Sequence, residues 1–311
     1  MGHSASKESE PTDQLAGAGN APVFGREREL VLASVVFQRK VLMCFASARS
    51  FDCYARGDGE FQIRDDGLGF PTLAMERAHP LQCLLKARDP AFRIYQFFLR
   101  TASEPAPHPE CRIACHSGDK LIYKAPFCDV YELDSPVRDA GYELSFPNMP
   151  DTTRVRLERC KGSLHMSADL GGWNTQWICT SGSPLHPKEL LLVVTEGGRD
   201  MPSRIRLPSS LSARQWAKYR EFFSVLPSRS AEKVASLCVR DAEVSEAEVS
   251  TCGIGEVPWY TGVIGCMGLI MCHLHEQKKR NRGKNNPFSA ANHLGSAPFI
   301  ASSVMGSPAS C

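Results

Sequence analysis

Short runs in which apolar and polar residues alternate follow one another along most of the chain. Phe61-Gln62-Ile63-Arg64 alternates and leads into Asp65-Asp66-Gly67, a strong hairpin-turn signal, before the apolar run Leu68 to Met75. Phe92 to Phe97, Lys120 to Lys124 and Asp129 to Leu133 repeat the pattern, the last two separated by Pro126. Tyr142 to Phe146, Thr153 to Leu157, Trp177 to Thr180 and Leu190 to Thr195 continue it. A period of two puts alternate side chains on opposite faces of an extended chain, so these runs predict half-buried strands. Turn residues recur between them, and a mainly β, sandwich- or barrel-like body follows.

Helical signals are fewer. Ser210 can cap a helix running to Leu226, on which Leu211, Trp216, Tyr219, Phe223 and Leu226 form an apolar stripe beside Arg214, Lys218 and Arg220. Residues 29–48 fit either a buried strand pair or a helix, because a continuous apolar run carries no deciding period. Residues 231–250 are polar and read as a partly helical linker.

One segment departs from all of this. The nineteen residues Val257 to His275 carry no formal charge, and Lys278, Lys279, Arg280, Arg282 and Lys284 follow closely. A bilayer core needs roughly 20 mostly apolar helical residues, so the length suits a span. The composition suits it less. Pro258, Thr261, Gly262, Gly265, Gly268, His273 and His275 interrupt the stretch and leave Val263 to Cys272 as its greasy part. The glycine spacing is not the GxxxG of paired membrane helices. The basic cluster fits a cytoplasmic flank and equally a helix C-terminus, where cations complement the dipole. A single-pass protein spanning at 257–275 is one expectation; a buried or interfacial helix is the favoured one.

Charge and cysteine usage narrow the class. A net charge of +2 gives no broad nucleic-acid-binding face. The thirteen cysteines are scattered and odd in number, and the N-terminus lacks the apolar core of a secretory signal. Mostly free thiols in a reducing compartment are expected.

The N-terminus offers a second membrane signal. Met1-Gly2-His3-Ser4-Ala5-Ser6 fits the acceptor pattern for N-myristoylation at Gly2, although a pattern this short also arises by chance. A single myristoyl chain gives marginal, reversible attachment, with K of about 10⁴ M⁻¹, so a second signal is needed. Two candidates present themselves. One is the Lys278, Lys279, Arg280, Arg282, Lys284 cluster, at about 1 kcal/mol per basic residue near an anionic leaflet. The other is palmitoylation of Cys266 or Cys272, which requires those thiols to be accessible. Residues 1–22 read as a disordered arm, 23–284 as the β-rich domain with its hydrophobic helix at 257–280, and 285–311 as a disordered tail.

Chemistry-bearing motifs are weak. Asp65-Asp66-Gly67-Leu68-Gly69-Phe70 resembles the D-x-G-x-G box of GHKL ATPases, but residues 29–48 offer no Glu/Asn-bearing helix for the base and magnesium, and a hairpin turn is the simpler reading. His108, Cys111, Cys115, His116 and Cys128 are of zinc-ligand type at a spacing that fits no common zinc module. No metal, no cofactor and no catalytic residue is assigned, and the reading leans away from an enzyme. A soluble enzyme with a constellation assembled only in three dimensions remains a further alternative.

Taken together, Phe61 to Gly67, Lys120-Leu121-Ile122-Tyr123, Asp129-Val130-Tyr131 and Val257 to Arg280 resemble the tubby C-terminal-like superfamily, which includes tubby, the phospholipid scramblases and the plant LURP-one-related proteins. The resemblance covers roughly residues 30–280 and implies a closed β-barrel around a C-terminal hydrophobic helix. The Ser210 to Leu226 helix and the linker after it have no counterpart in that family, and no phosphoinositide-binding residue transfers position by position. The expected function is that of a non-enzymatic, N-myristoylated peripheral membrane protein on the cytoplasmic face of a membrane, with a lipid-associated binding or scaffolding role. Its expected partners are anionic lipids, with N-myristoyltransferase as the modifying enzyme.

Overall fold

The computed structural model describes residues 26–35, 41–57, 60–63, 69–78, 89–133, 141–148, 154–159, 166–170, 173–179, 189–194, 215–222, 231–241 and 259–284. Thirteen antiparallel strands dominate them. They are β1 (Arg26–Val35), β2 (Val41–Phe45), β3 (Leu73–Arg77), β4 (Phe92–Thr101), β5 (Arg112–Ser117), β6 (Lys120–Leu133) and β7 (Gly141–Ser145). After these come β8 (Arg154–Arg159), β9 (Met166–Leu170), β10 (Trp173–Cys179), β11 (Glu189–Val194), β12 (Gln215–Glu221) and β13 (Ala231–Asp241). Two helices accompany them, α1 (Ala48–Arg56) and α2 (Trp259–Lys284).

The strand order runs β4-β3-β2-β1-β13-β12-β11-β10-β9-β8-β7-β6-β5, and β4 also pairs with β6. That extra pairing makes the ladder return on itself. From β1 the hydrogen-bonded neighbours lead through β2, β3, β4, β6 and β7. They continue from β7 through β8, β9, β10, β11, β12 and β13 back to β1. The mainly β body around a C-terminal hydrophobic helix is therefore what the chain forms, with twelve strands in the ring. Closure leaves no unpaired edge within the ring and encloses an interior wide enough to need filling. The remaining strand, β5, lies outside it.

Alternation sets which residues fill that interior. On β1, Leu30 and Leu32 are fully buried and Glu27 and Glu29 are exposed; on β13, Ala235, Leu237 and Val239 are buried at the same spacing. Opposite them on β1 and β2, Val31, Ala33, Val35, Met43 and Phe45 face the other way into a second cluster, covered by Phe51 and Tyr54 of α1 and by Phe61 and Ile63. Ser47 caps α1, accepting a hydrogen bond from the Ser50 N–H at 3.1 Å. Strands β1 to β4 are thus apolar on both faces, which explains why residues 29–48 carried no clean period; they form the strand pair β1–β2 followed by the start of α1.

Two expectations are corrected. The segment expected to be a helix over Ser210 to Leu226 contains β12, paired on both sides with β11 and β13. Trp216 and Tyr219 fit the 3.6 spacing of a helix, but aromatic side chains also suit a pleated surface, and two full ladders outweigh a weak local preference. The expected linker at 231–250 contains β13, whose eleven residues join the first strand to the last ones. Its small and polar residues hid an alternation in which Ala231, Ala235, Leu237 and Val239 are all buried. Residues 201–214 and 223–230, with the Asp65-Asp66-Gly67 turn, lie outside the described residues.

The runs either side of Pro126 merge into the single strand β6. Pro126 has no N–H to give a ladder, and it sits where it need not give one. It faces Tyr95 at a bulge in the β4–β6 pairing, while on the other edge β5 pairs only with residues 120–124 and β7 only with residues 129–133.

Candidate functional site

The element that singles out this chain is α2, and its surroundings follow from its composition. Every residue from Thr261 to Cys272 is buried, including Val263, Ile264, Cys266, Met267 and Leu269 at 0% exposure. A helix apolar on all sides is stable only when enclosed, and here it meets several strands of its own chain. Gly268 lies against Leu237 of β13 and Leu32 of β1; a Cβ at this glycine would stand 2.8 Å from Leu237 Cδ2 and 3.2 Å from Leu32 Cδ1. The Tyr219 hydroxyl of β12 is 3.5 Å from Cys272 Sγ. Cys266 interacts with Cys44 of β2 and with Cys128 of β6. Those strands lie on different arcs of the ring. Among the described residues, no helix is long and apolar enough to cross a membrane. The single-pass alternative is therefore set aside: the uncharged stretch is uncharged because strands surround it.

Enclosure also decides the chemistry of the thiols. Burial pushes the Cys44 thiol up to about 12, and the neighbouring Arg28 charge and a hydrogen bond with Thr72 only partly offset it. Burial likewise raises Cys128 well above the usual thiol range, with a hydrogen bond to Cys266 adding to the effect. Thiols held protonated and out of water are poor nucleophiles. Cys266 and Cys272 are both at 0% exposure, so the accessibility that their acylation required is missing and the two drop out as palmitoylation candidates. All nine described cysteines are free.

The other expected residues fall as follows. Gly2 lies outside the described residues. Lys278 is half-buried on α2; Lys279, Arg280, Arg282 and Lys284 belong to the same helix, and their side chains lie outside the described ones. Residues His273–Cys311 form a compact unit separate from Met1–Cys272. Within it, Gln277 Nε2 is 2.7 Å from His273 Nε2. The zinc-type residues do not converge. Cys128 is buried in the barrel wall, while His108 Nδ1 accepts a hydrogen bond from the Glu110 N–H. No group of three metal-ligating side chains occurs among the described residues.

Sequence reasoning missed the residues that receive the helix: Cys44, Cys128, Tyr219 and Leu237. The signal for Leu237 was present in the alternation of β13; nothing local marks Cys44 or Cys128 as partners of Cys266.

The sequence model of the DIA1 family matches residues 25–280, which spans the strands and most of α2. The chain belongs to the DIA1 family. It is 24% identical over 283 residues to "Protein DIA1" of Saccharomyces cerevisiae, covering 84% of this chain and 82% of the relative. No solved structure matches the chain. The DIA1 match begins next to Arg26, where β1 begins, and ends at Arg280, so the region shared with the family coincides with the barrel and its helix.

Proposed function

We propose that this member of the DIA1 family is a non-enzymatic, N-myristoylated peripheral membrane protein, attached at the cytoplasmic face and serving a lipid-linked binding or scaffolding role. The observation that carries the reading is the enclosure of α2. With Thr261 to Cys272 buried among strands of the same chain, membrane attachment has to come from the acyl acceptor Gly2 and from surface charge rather than from a span. The barrel-around-helix architecture also supports the resemblance to the tubby C-terminal-like superfamily. One acyl chain is marginal on its own, so Lys278, Lys279, Arg280, Arg282 and Lys284 serve as the second attraction toward anionic lipids.

Mass spectrometry of the chain made in a cell containing N-myristoyltransferase tests the acyl group, and fractionation tests its role. Gly2→Ala is expected to move the protein from the membrane to the soluble fraction, and the parent chain is expected to leave membranes at alkaline pH. An unmodified Gly2, or a membrane fraction that Gly2→Ala leaves unchanged, overturns the acylation. Retention in the pellet after carbonate extraction overturns the peripheral attachment.

A further inference from the structure

The strands β4 and β6 run past the neighbours that bind them into the ring. β3 pairs with β4 only over Phe92 to Gln96, and β7 pairs with β6 only over Asp129 to Leu133. Beyond those limits Phe97 to Thr101 still pairs with Lys120 to Lys124, and β5 joins on the far side of β6. The result is a three-stranded extension, β4–β6–β5, in which β5 has no second strand partner among the described residues.

Its two faces differ. In one direction point Leu99, Ile122 and Cys115, paired across the strands and packed into the cluster beneath α1. In the other direction, by alternation, point Phe98, Tyr123 and Ile113, which form one cross-strand row: Phe98 is the register partner of Tyr123, and Tyr123 of Ile113. Phe98 and Tyr123 are only partly covered and Ile113 is 58% exposed, the more exposed of the two large apolar side chains that stand out to solvent among the described residues. The next row on this face is Arg100, Leu121 and His116. Neither row holds a carboxylate. The acid near Arg100, Glu104, is engaged by the Thr101 N–H at 2.6 Å and the Thr101 hydroxyl at 3.1 Å.

We infer that this face of the β4–β6–β5 extension is a membrane-docking surface for anionic lipid, with Ile113, Tyr123 and Phe98 entering the headgroup boundary and Arg100 meeting lipid phosphates. Aromatic side chains with one apolar and one polar end belong at that depth, and apolar side chains beside cations are the composition that binds there. The absence of acidic groups from both rows favours a lipid surface over a charge-balanced protein partner. The inference rests on the peripheral-membrane reading and supplies the second attachment that a single acyl chain needs.

The test uses the full chain carrying Gly2→Ala, so that no acyl group masks the surface, with vesicles of phosphatidylcholine containing phosphatidylserine. Ile113→Trp is compared with its parent by fluorescence in vesicles carrying brominated acyl chains. Quenching of the added tryptophan is expected. Ile113→Asp is expected to weaken co-sedimentation roughly five- to tenfold, the scale of keeping one branched aliphatic side chain from burial. Ile113 is on an exposed edge strand, so neither change disturbs the barrel core. An unquenched probe at position 113, on a chain that still sediments, overturns the docking surface and leaves the peripheral reading standing on the basic helix. Failure of even the acylated parent chain to sediment overturns both. A blue-shifted probe without vesicles, together with a doubled mass in solution, assigns the β5 edge to a second copy and overturns the lipid assignment.

Discussion

Gly268 of α2 sits against Leu237 of β13 with no room for a side chain: an added Cβ would lie 2.8 Å from Leu237 Cδ2. Two effects of opposite sign decide what Gly268→Ala does. Alanine favours the helix by about 1 kcal/mol over glycine. Overpacking a filled interior costs about 1–3 kcal/mol, and Leu237 at 0% exposure has nowhere open to swing. Overpacking therefore wins, and a net loss of about 1–2 kcal/mol is expected in urea unfolding. The contact itself is isolated by a double-mutant cycle: Gly268→Ala costs less in a Leu237→Ala background, with a coupling of about 0.5–3 kcal/mol. Equal costs in both backgrounds would mean that the helix does not pack on β13 there.

The buried thiols make stability depend on alkaline pH. Cys44 holds its proton up to about 12 in the folded chain against an ordinary value of 9.0, and Cys128 is raised as well. Above the ordinary value the unfolded chain has lost these protons and the folded chain has not, so stability is fully present below pH ~9 and is lost as pH rises toward the folded value. Each such thiol contributes a fall of about 1.4 kcal/mol per pH unit in that window. Cys44→Ala is expected to lower stability near neutrality through the lost packing while flattening the decline above pH ~9. Parallel pH profiles for the parent and the variant would show that Cys44 is not titrating differently in the two states.

A related expectation concerns reactivity. Under native conditions a thiol-specific reagent should modify half-exposed Cys53 and Cys179 and leave Cys44, Cys128, Cys266 and Cys272 untouched until the chain unfolds. Peptide mapping after timed labelling reads this directly. Rapid native labelling of Cys266 or Cys272 would show that α2 leaves the barrel, and would reopen both residues to acylation.

What the sequence displayed and what it hid divide along a physical line. The helix over 257–280 was legible because nineteen uncharged residues followed by a run of cations leave few alternatives, and α2 spans Trp259–Lys284. Most of the strands were legible because one face of each is apolar and the other is wet. β12 and β13 were not. Trp216, Tyr219 and Leu237 are placed by ladders to partners far away in the chain, and that long-range pairing overrides a short helical stripe. α1 was missed because nine residues with a charged, mixed surface show little until Phe51 and Tyr54 are seen against Phe45. The candidate site divides in the same way: Gly2 and the basic run can be read from local pattern, whereas the row Phe98, Tyr123, Ile113 exists only through register.

The cover over the outside of the barrel gives the last prediction. Phe45 of β2 meets Phe51 edge-on at 5.4 Å and Tyr54 at 5.1 Å; Tyr54 in turn meets Phe61, and Phe61 meets Phe97 of β4 edge-on at 5.3 Å. α1 is also tied to β13 by Lys233, 2.9 Å from Asp52 and above the Phe51 ring. The two attachments differ greatly in weight. Side-chain exposures of 35% and 46% leave the ion pair well screened, so Lys233→Ala should cost under ~1 kcal/mol. Phe45 is at 0% exposure and touches both helix rings, so Phe45→Ala should cost about 3–5 kcal/mol. Hydrogen exchange separates a loosened cover from a damaged barrel. Lys233→Ala should leave all amides protected, whereas Phe45→Ala should release the amides of Ala48 to Arg56 before those of β12 and β13, because nothing but this cluster holds α1 against strands that the closed ladder secures independently.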